Sequence, residues 1–234
     1  MERTNINKYE QGQVLLINKP LHWTSFDVVR KIRNLVKIKK VGHAGTLDPL
    51  ATGLLIVCTG KFTKQINHFM SQEKEYTGSF TLGATTPTYD LESEPQDFKD
   101  TSGLTEADLG EVTKKFTGTL LQVPPAHSAI KVKGKRVYEL ARQGREVQLE
   151  PRKITIHSFT IESVAWPLVY FRVACSTGTY IRSLANDVGQ ALGCGAYLSS
   201  LCRTRIGEYR LEQSLTMEAA EEEILRELGS RTGS

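Results

Sequence analysis

The stretch Gly42-His43-Ala44-Gly45-Thr46-Leu47-Asp48-Pro49-Leu50-Ala51-Thr52-Gly53 constrains this chain more than any other. Three glycines and one proline in twelve residues argue against a regular helix or strand. An amphipathic helix pattern precedes the stretch and a continuous apolar run follows it. The expectation is a loop on a rigid scaffold, where functional side chains are commonly placed. The loop offers one carboxylate, Asp48, and one imidazole, His43. Pro49 biases Asp48 towards an extended conformation. Taken alone, the Asp-Pro pair reads as an Asx-type turn that caps the next element.

The chain around this loop has 234 residues, 39% hydrophobic and 24% charged, which fits a globular protein rather than a disordered one. No apolar run approaches the ~20 residues of a membrane-spanning helix. The start, Met1 to Asn7, is polar and lacks the apolar core of a signal peptide, so a cytoplasmic protein is expected. Cys58, Cys175, Cys194 and Cys202 form no C-x-x-C pair and have no histidine at finger spacing. Zinc is not expected, and the four read as thiols in a reducing compartment.

The net charge of +4 is modest, but its distribution is uneven. Seven basic residues against Asp27 lie between Lys19 and Lys40, and eight against three glutamates between Lys131 and Lys153. Eight acids against Lys99 lie between Asp90 and Glu111. A polyanion suits the basic side, although such runs also occur as ordinary solvated faces.

Read in order, residues 1–11 look like a flexible terminus and Val14 to Ile17 like a buried strand. Thr24-Ser25-Phe26-Asp27 matches a capping box for a helix with Val28, Val29, Ile32, Leu35 and Val36 on one face. After the loop come a strand at Leu54–Cys58, a short helix near Phe62–Met70 and a strand from Glu75 to Ala84. Residues 85–103 read as an acidic surface loop, and Glu106 to Phe116 as a helix. Ala126 to Arg152 reads as a long basic insertion. Two strands, Ile154 to Val164 and Leu168 to Cys175, precede a helix that starts near Ile181 and ends at Gly193. Ala196 to Cys202 is expected to be a short helix, Arg205 to Leu211 a strand, and Thr216 to Leu228 an acidic helix. With no repeats and no linker, residues 12–234 are expected to form one domain. No P-loop and no G-x-G-x-x-G is present.

Four pieces stand together: Asn18-Lys19-Pro20, the Gly42–Gly53 loop, Lys74-Glu75-Tyr76-Thr77-Gly78, and Gly178-Thr179-Tyr180-Ile181-Arg182-Ser183-Leu184. In this order they closely resemble the TruB family of tRNA pseudouridine synthases, over about residues 12–212. The G-H-x-G-T-L-D-P-x-A-x-G loop is the most specific piece. The resemblance implies an α+β fold with a mixed, largely antiparallel β-sheet flanked by helices. It implies isomerisation of the T-loop uridine of tRNA, position 55, to pseudouridine. Such a reaction must take the base out of the RNA stack, at a cost of a few kcal/mol. The resemblance makes Asp48 the nucleophile or base, and Arg182 its cationic partner. Tyr76 becomes the stacking face for uracil and the candidate acceptor of the C5 proton, and Tyr180 a second pocket tyrosine. His43 matches the residue that fills the space left by the flipped base, Lys19 a support of the pocket, and Leu201 an apolar wall. Read singly, Tyr180 and Tyr76 would be ordinary core or strand tyrosines and Arg182 a surface ion-pair arginine.

The basic insertion at 126–152, with Lys131, Lys133 and Arg136, corresponds to the RNA-gripping thumb of stand-alone bacterial enzymes. Guide-RNA-dependent relatives such as dyskerin lack it, so the stand-alone reading is preferred: a monomer acting on the T arm of tRNA, with no protein partner and no membrane. Many TruB enzymes carry a C-terminal PUA domain; here Ser234 follows Leu211 by one helix, and no PUA domain is expected. No metal or cofactor is implied, because the reaction is redox-neutral and no ligand cluster is present. The rival readings are a tRNA-folding chaperone without chemistry and a guide-dependent subunit.

Overall fold

The structure, a computed structural model, describes residues 8–126, 131, 132, 135, 136 and 149–229. In chain order, α1 is Lys8–Gln11, β1 Val14–Lys19, α2 Ser25–Val36, β2 Val41–His43 and β3 Ala51–Thr59. A 3-10 turn at Gly60–Gln65 leads into α3, Ile66–Ser71, and β4, Lys74–Leu82. Then come α4, Glu106–Lys115, β5, Gly118–Gln122, β6, Lys131–Val132, and β7, Lys135–Arg136. The remainder is β8, Arg152–Ala165, β9, Leu168–Cys175, α5, Ile181–Ala191, β10, Ala196–Ile206, β11, Tyr209–Arg210, and α6, Met217–Gly229. The expected α+β class is the one observed, with antiparallel strand ladders flanked by helices.

The residues group into two compact units, Met1–Tyr76 with Cys202–Ser234, and Thr77–Leu201. Strands β4 and β10 each supply residues to both, so the division does not cut the chain into consecutive halves.

In the first unit, β1 and β2 both pair antiparallel with β3. Successive β3 side chains point to opposite faces. Leu55 and Val57 join Val28, Val29, Ile32 and Val36 of α2, Ile17 of β1 and Ile224 of α6 in one core cluster. Leu54, Ile56 and Cys58 join Phe69 and Ile206 in another. The stretch Leu54–Cys58 is buried on both faces, which is why it reads as an unbroken apolar run. Each fully buried aliphatic side chain of this kind stabilises by about 1.5–3 kcal/mol. The helix α2 starts where the sequence says: Thr24 Oγ accepts from the Asp27 N–H at 3.0 Å, and the Asp27 carboxylate accepts from the Thr24 N–H at 2.9 Å. It ends at Lys37, whose φ of 54° is left-handed and whose N–H reaches Arg33 O.

The second unit is built on the antiparallel ladder β5-β8-β9. Helix α4 packs on β8 and α5. Phe171 holds Phe80 and Phe159 at ring separations of 5.6 and 6.0 Å.

Three expectations need correction. Gly42 lies inside β2 and Gly53 inside β3, so the loop proper is only residues 44–50. Gly53 has φ +101°, and a Cβ there would meet the backbone O and N of Arg203 at 2.4 and 2.6 Å. Glycine in this strand marks a close backbone approach rather than a break. Second, Ala196–Cys202 is strand, not helix. Ser199 and Ser200 pair through their hydroxyls with Thr81 and Ser79 of β4, at 2.5 and 2.8 Å, and burial alternates at Ala196 and Leu198. Third, the acidic segment 85–103 is not merely a solvated loop: Thr86, Thr88 and Asp90 are buried, and the hydroxyls of both threonines donate to Asp90 O. Most of the 126–152 insertion lies outside the described residues; within it β6 and β7 pair, Lys131 opposite Arg136.

Candidate active site

Asp48 begins a tight turn in which its own carbonyl accepts from the Ala51 N–H at 3.0 Å. Asp at the first and Pro at the second position is a favoured type I sequence, and the bond that closes the turn is backbone to backbone. Other elements then fix the turn from several sides. Ser25 of α2 brackets Leu47: its hydroxyl accepts from the Leu47 N–H at 2.9 Å and donates to Leu47 O at 3.3 Å. The Pro49 carbonyl accepts from the His22 N–H at 2.8 Å and from Lys19 Nζ at 3.4 Å. The Ala44 N–H reaches Ile56 O at 2.9 Å.

Lys19, at the end of β1, is fully buried. Its ammonium donates to the carbonyls of Trp23 at 2.6 Å, Pro20 at 2.9 Å and Pro49. A buried cation is tolerated only when its donors are satisfied, and three carbonyls satisfy three N–H groups. Burial pulls the Lys19 pKa down to about 8; Asp48 and Asp27 pull it back up, while Arg203 pushes it lower. Lys19 and Asp48 are thus electrostatic neighbours.

His43 ends β2, opposite Val57 of β3. Burial first, and the Arg203 guanidinium second, hold it below the usual imidazole range, while the Gly45 backbone acts in the opposite sense. Its Nδ1 is buried without a hydrogen-bond partner. His43 is therefore a neutral ring at pH 7. Tyr76, on β4, is 8% exposed and belongs to the same unit as Asp48, His43 and Lys19.

The other candidates lie in the second unit. Tyr180 is the residue before the first turn of α5, and it is held by its backbone. Gln122 of β5, itself buried, accepts from the Tyr180 N–H at 2.8 Å and donates to Tyr180 O at 3.0 Å. Ser183 Oγ donates to Val123 O at 2.9 Å. Arg182 is 4% exposed, far from the surface arginine that a reading of that residue alone suggests. Its Nη1 donates to Thr88 O at 3.2 Å, and its Nε lies 3.7 Å from Asp90 Oδ2. Tyr89, between Thr88 and Asp90, takes φ 63°, a strained backbone for a non-glycine residue, and strain of this kind gathers at functional sites. Leu201 is half-buried on β10. Of the thumb candidates, Lys131 and Arg136 are placed by backbone alone, and Lys133 lies outside the described residues.

Sequence reading missed four residues that position these groups: Ser25, Asp90, Gln122 and Arg203. Arg203 was hidden in a segment read as following a helix, and Asp90 in one read as solvated. Among the described residues, no group of three or more His, Cys, Asp or Glu is arranged to hold a metal ion, and no helix is long and apolar enough to cross a membrane.

Residues 33–181 match the family model described as TruB family pseudouridylate synthase (N terminal domain), and residues 182–230 the tRNA pseudouridylate synthase B C-terminal domain. A Flavobacterium johnsoniae protein named tRNA pseudouridine synthase B is 50% identical over 224 residues, covering 93% of this chain and 98% of its own length. A Parabacteroides distasonis protein of the same name is 51% identical over 213 residues, covering 88% and 91%. Among solved structures, a chain of "Crystal Structure of a Cbf5-Nop10-Gar1 Complex" superposes with TM-score 0.74 at 29% identity, over 94% of this chain and 57% of that one. Family models and relatives agree over almost the whole length, and the chain belongs to the TruB family of pseudouridylate synthases.

Proposed function

We propose that this protein isomerises the T-loop uridine of tRNA, position 55, to pseudouridine, with Asp48 working at the ribose as nucleophile or base. The observation that carries this reading is the setting of Asp48. Between Val28 and Gln72 it is the only carboxylate in the sequence. It starts a turn braced by Ser25 and His22, beside the fully buried Lys19 ammonium. Such bracing is what a group needs when it must meet a reacting atom in one geometry.

The reaction breaks the N1–C1′ bond and forms C5–C1′; C5 loses a proton and N1 gains one, so no oxidant or reductant takes part. Asp48 acts at the sugar, and the Tyr76 phenolic oxygen, having given up its own proton as the base is transferred, takes the C5 proton and returns to the neutral phenol. The neutral His43 ring enters the space that the extruded base leaves, where a charged ring would pay a desolvation penalty. Tyr180 and Arg182 keep the roles that the resemblance gives them, and Leu201 forms an apolar wall. Lys131, Lys133 and Arg136 of the insertion hold RNA phosphates. A tRNA substrate is consistent with a cytoplasmic, monomeric enzyme.

The similarity to chains from complexes such as "Structure of H/ACA RNP bound to a substrate RNA containing 2'-deoxyuridine" favours a second reading, a subunit that needs a guide. One experiment separates the two. Purified protein alone is incubated with unmodified tRNA, and pseudouridine is mapped in the T loop. Modification without guide or partner is expected. Asp48→Asn should leave no detectable product while tRNA affinity changes by less than ~1 kcal/mol. Substantial turnover by the Asn variant sinks the assignment.

A further inference from the structure

We infer that Arg203 is a positioning residue for pseudouridine formation: its buried guanidinium ties together the two stems of the loop that carries Asp48. This rests on the reading of Asp48 as the catalytic carboxylate. Nothing in the resemblance points to Arg203, which lies two residues beyond Leu201.

The loop cannot hold itself. Residues 44–50 make no strand ladder, and their carbonyls must find partners elsewhere. Ser25, Lys19 and His22 meet the carbonyls of Leu47 and Pro49, and Arg203, on β10, reaches those of Gly45 and Leu54 from 158 and 149 residues away in sequence. Its Nε donates to Leu54 O at 2.8 Å, on the outgoing stem. Its Nη2 donates to Gly45 O at 3.1 Å, on the incoming stem. The backbone of the same residue passes so close to Gly53 that a Cβ there would lie 2.4 Å from Arg203 O. One residue thus touches the loop stems at positions 45, 53 and 54. The guanidinium is a planar fork whose donors have fixed directions, so fixing two carbonyls to one fork fixes the distance between them.

The residue type is informative. Arg203 is 1% exposed, and among the described residues no carboxylate pairs with it. Burying a cation this way is costly, and an apolar side chain would serve the core at least as well. Its two partners are both loop-stem carbonyls, and its charge is felt by His43 and Lys19, which flank the same loop. The geometry of the loop, not the packing of the core, is what a guanidinium provides here.

The test compares wild type, Arg203→Lys, Arg203→Met, Asp48→Asn and Ile224→Ala. Ile224 is buried in the same unit on α6, so its truncation lowers stability without touching the loop. Single-turnover rates are measured at saturating unmodified tRNA, below each variant's thermal midpoint, together with the dissociation constant. A misplacement of order 1 Å costs about 100-fold, so Arg203→Met should lose about that much rate with little change in affinity. Arg203→Lys keeps the charge but cannot span both carbonyls, and should fall between Met and wild type. Ile224→Ala should melt earlier and react at the wild-type rate. Wild-type rates in both Arg203 variants overturn the inference, as does an equal loss of rate in Ile224→Ala. If Arg203→Met does not fold, Arg203→Lys decides: a wild-type rate there overturns it. An active Asp48→Asn overturns the underlying reading instead, whatever the Arg203 variants do.

Discussion

Lys19 should set two pH dependences of opposite sense. Its ordinary pKa of 10.5 is drawn down to about 8 by burial, against the pull of Asp48 and Asp27 and with the help of Arg203. Between those two values the unfolded chain holds a proton that the folded chain has released. Stability from this group therefore rises with pH across that window, and below about 8 the folded state carries the full cost of the buried charge. Catalysis should move the other way, because above about 8 the amine no longer offers a cation beside Asp48. The expected profile is a single-turnover rate that falls from pH about 8 upward in wild type and is flat and low in Lys19→Met. Rate–pH curves for both proteins, with thermal melts over the same range, check this. An alkaline limb that survives unchanged in Lys19→Met belongs to another group.

At the scale of elements, α2 and β3 are secured by different means, and truncation and addition should separate them. The Thr24 cap is exposed and local, so Thr24→Ala should cost about 1 kcal/mol and leave the rate alone. Gly53→Ala is a smaller chemical change with a larger expected effect. Its φ of +101° disfavours any side chain, and the new Cβ would strike the Arg203 backbone. Urea melts should show a greater loss of stability for Gly53→Ala than for Thr24→Ala. Because Gly53 borders the Asp48 loop, turnover should fall as well. Equal melts for the two variants would mean that β10 can yield at this point.

For the molecule as a whole, the question is which positive charge meets the RNA. The sequence offers two basic blocks, but the first is partly engaged within its own unit. Arg30 pairs with Asp27 and Lys31 with Glu221 of α6, both at 2.7 Å, and Arg33 Nη2 donates to Val41 O at 3.1 Å. Lys37, Lys39 and Lys40 lie beyond these pairings, and all three are exposed. The insertion should therefore supply much of the salt-dependent affinity. Neutralising Lys131, Lys133 and Arg136 together should raise the dissociation constant and lower the log–log salt slope by about one for each phosphate left without its cation. Chemistry at saturating RNA should stay near wild type. A salt titration of tRNA binding by wild type and triple variant measures the slopes; identical slopes would remove the insertion from the interface.

Features that depend on near neighbours in the chain are legible from residue order alone. The capping box sets the start of α2, the spacing of Val28, Val29, Ile32 and Val36 sets its buried face, and the Asp-Pro pair sets the turn at Asp48. The order of four short motifs was enough to point to the TruB family. Features that depend on partners far along the chain were decided only in the folded molecule. Ala196–Cys202 has a spacing compatible with helix or strand, and only pairing of Ser199 and Ser200 with β4 decides for strand. The glycines of the loop look like breakers until Gly53 is seen to clear the Arg203 backbone. Arg182 looks like a surface residue until Thr88 and Asp90 enclose it from 94 and 92 positions away. Arg203 carries no local pattern at all, since its Leu54 partner lies 149 residues upstream. Local propensity and periodicity act over one or two turns of chain, whereas the satisfaction of buried polar groups is decided wherever the folded backbone brings a carbonyl within reach.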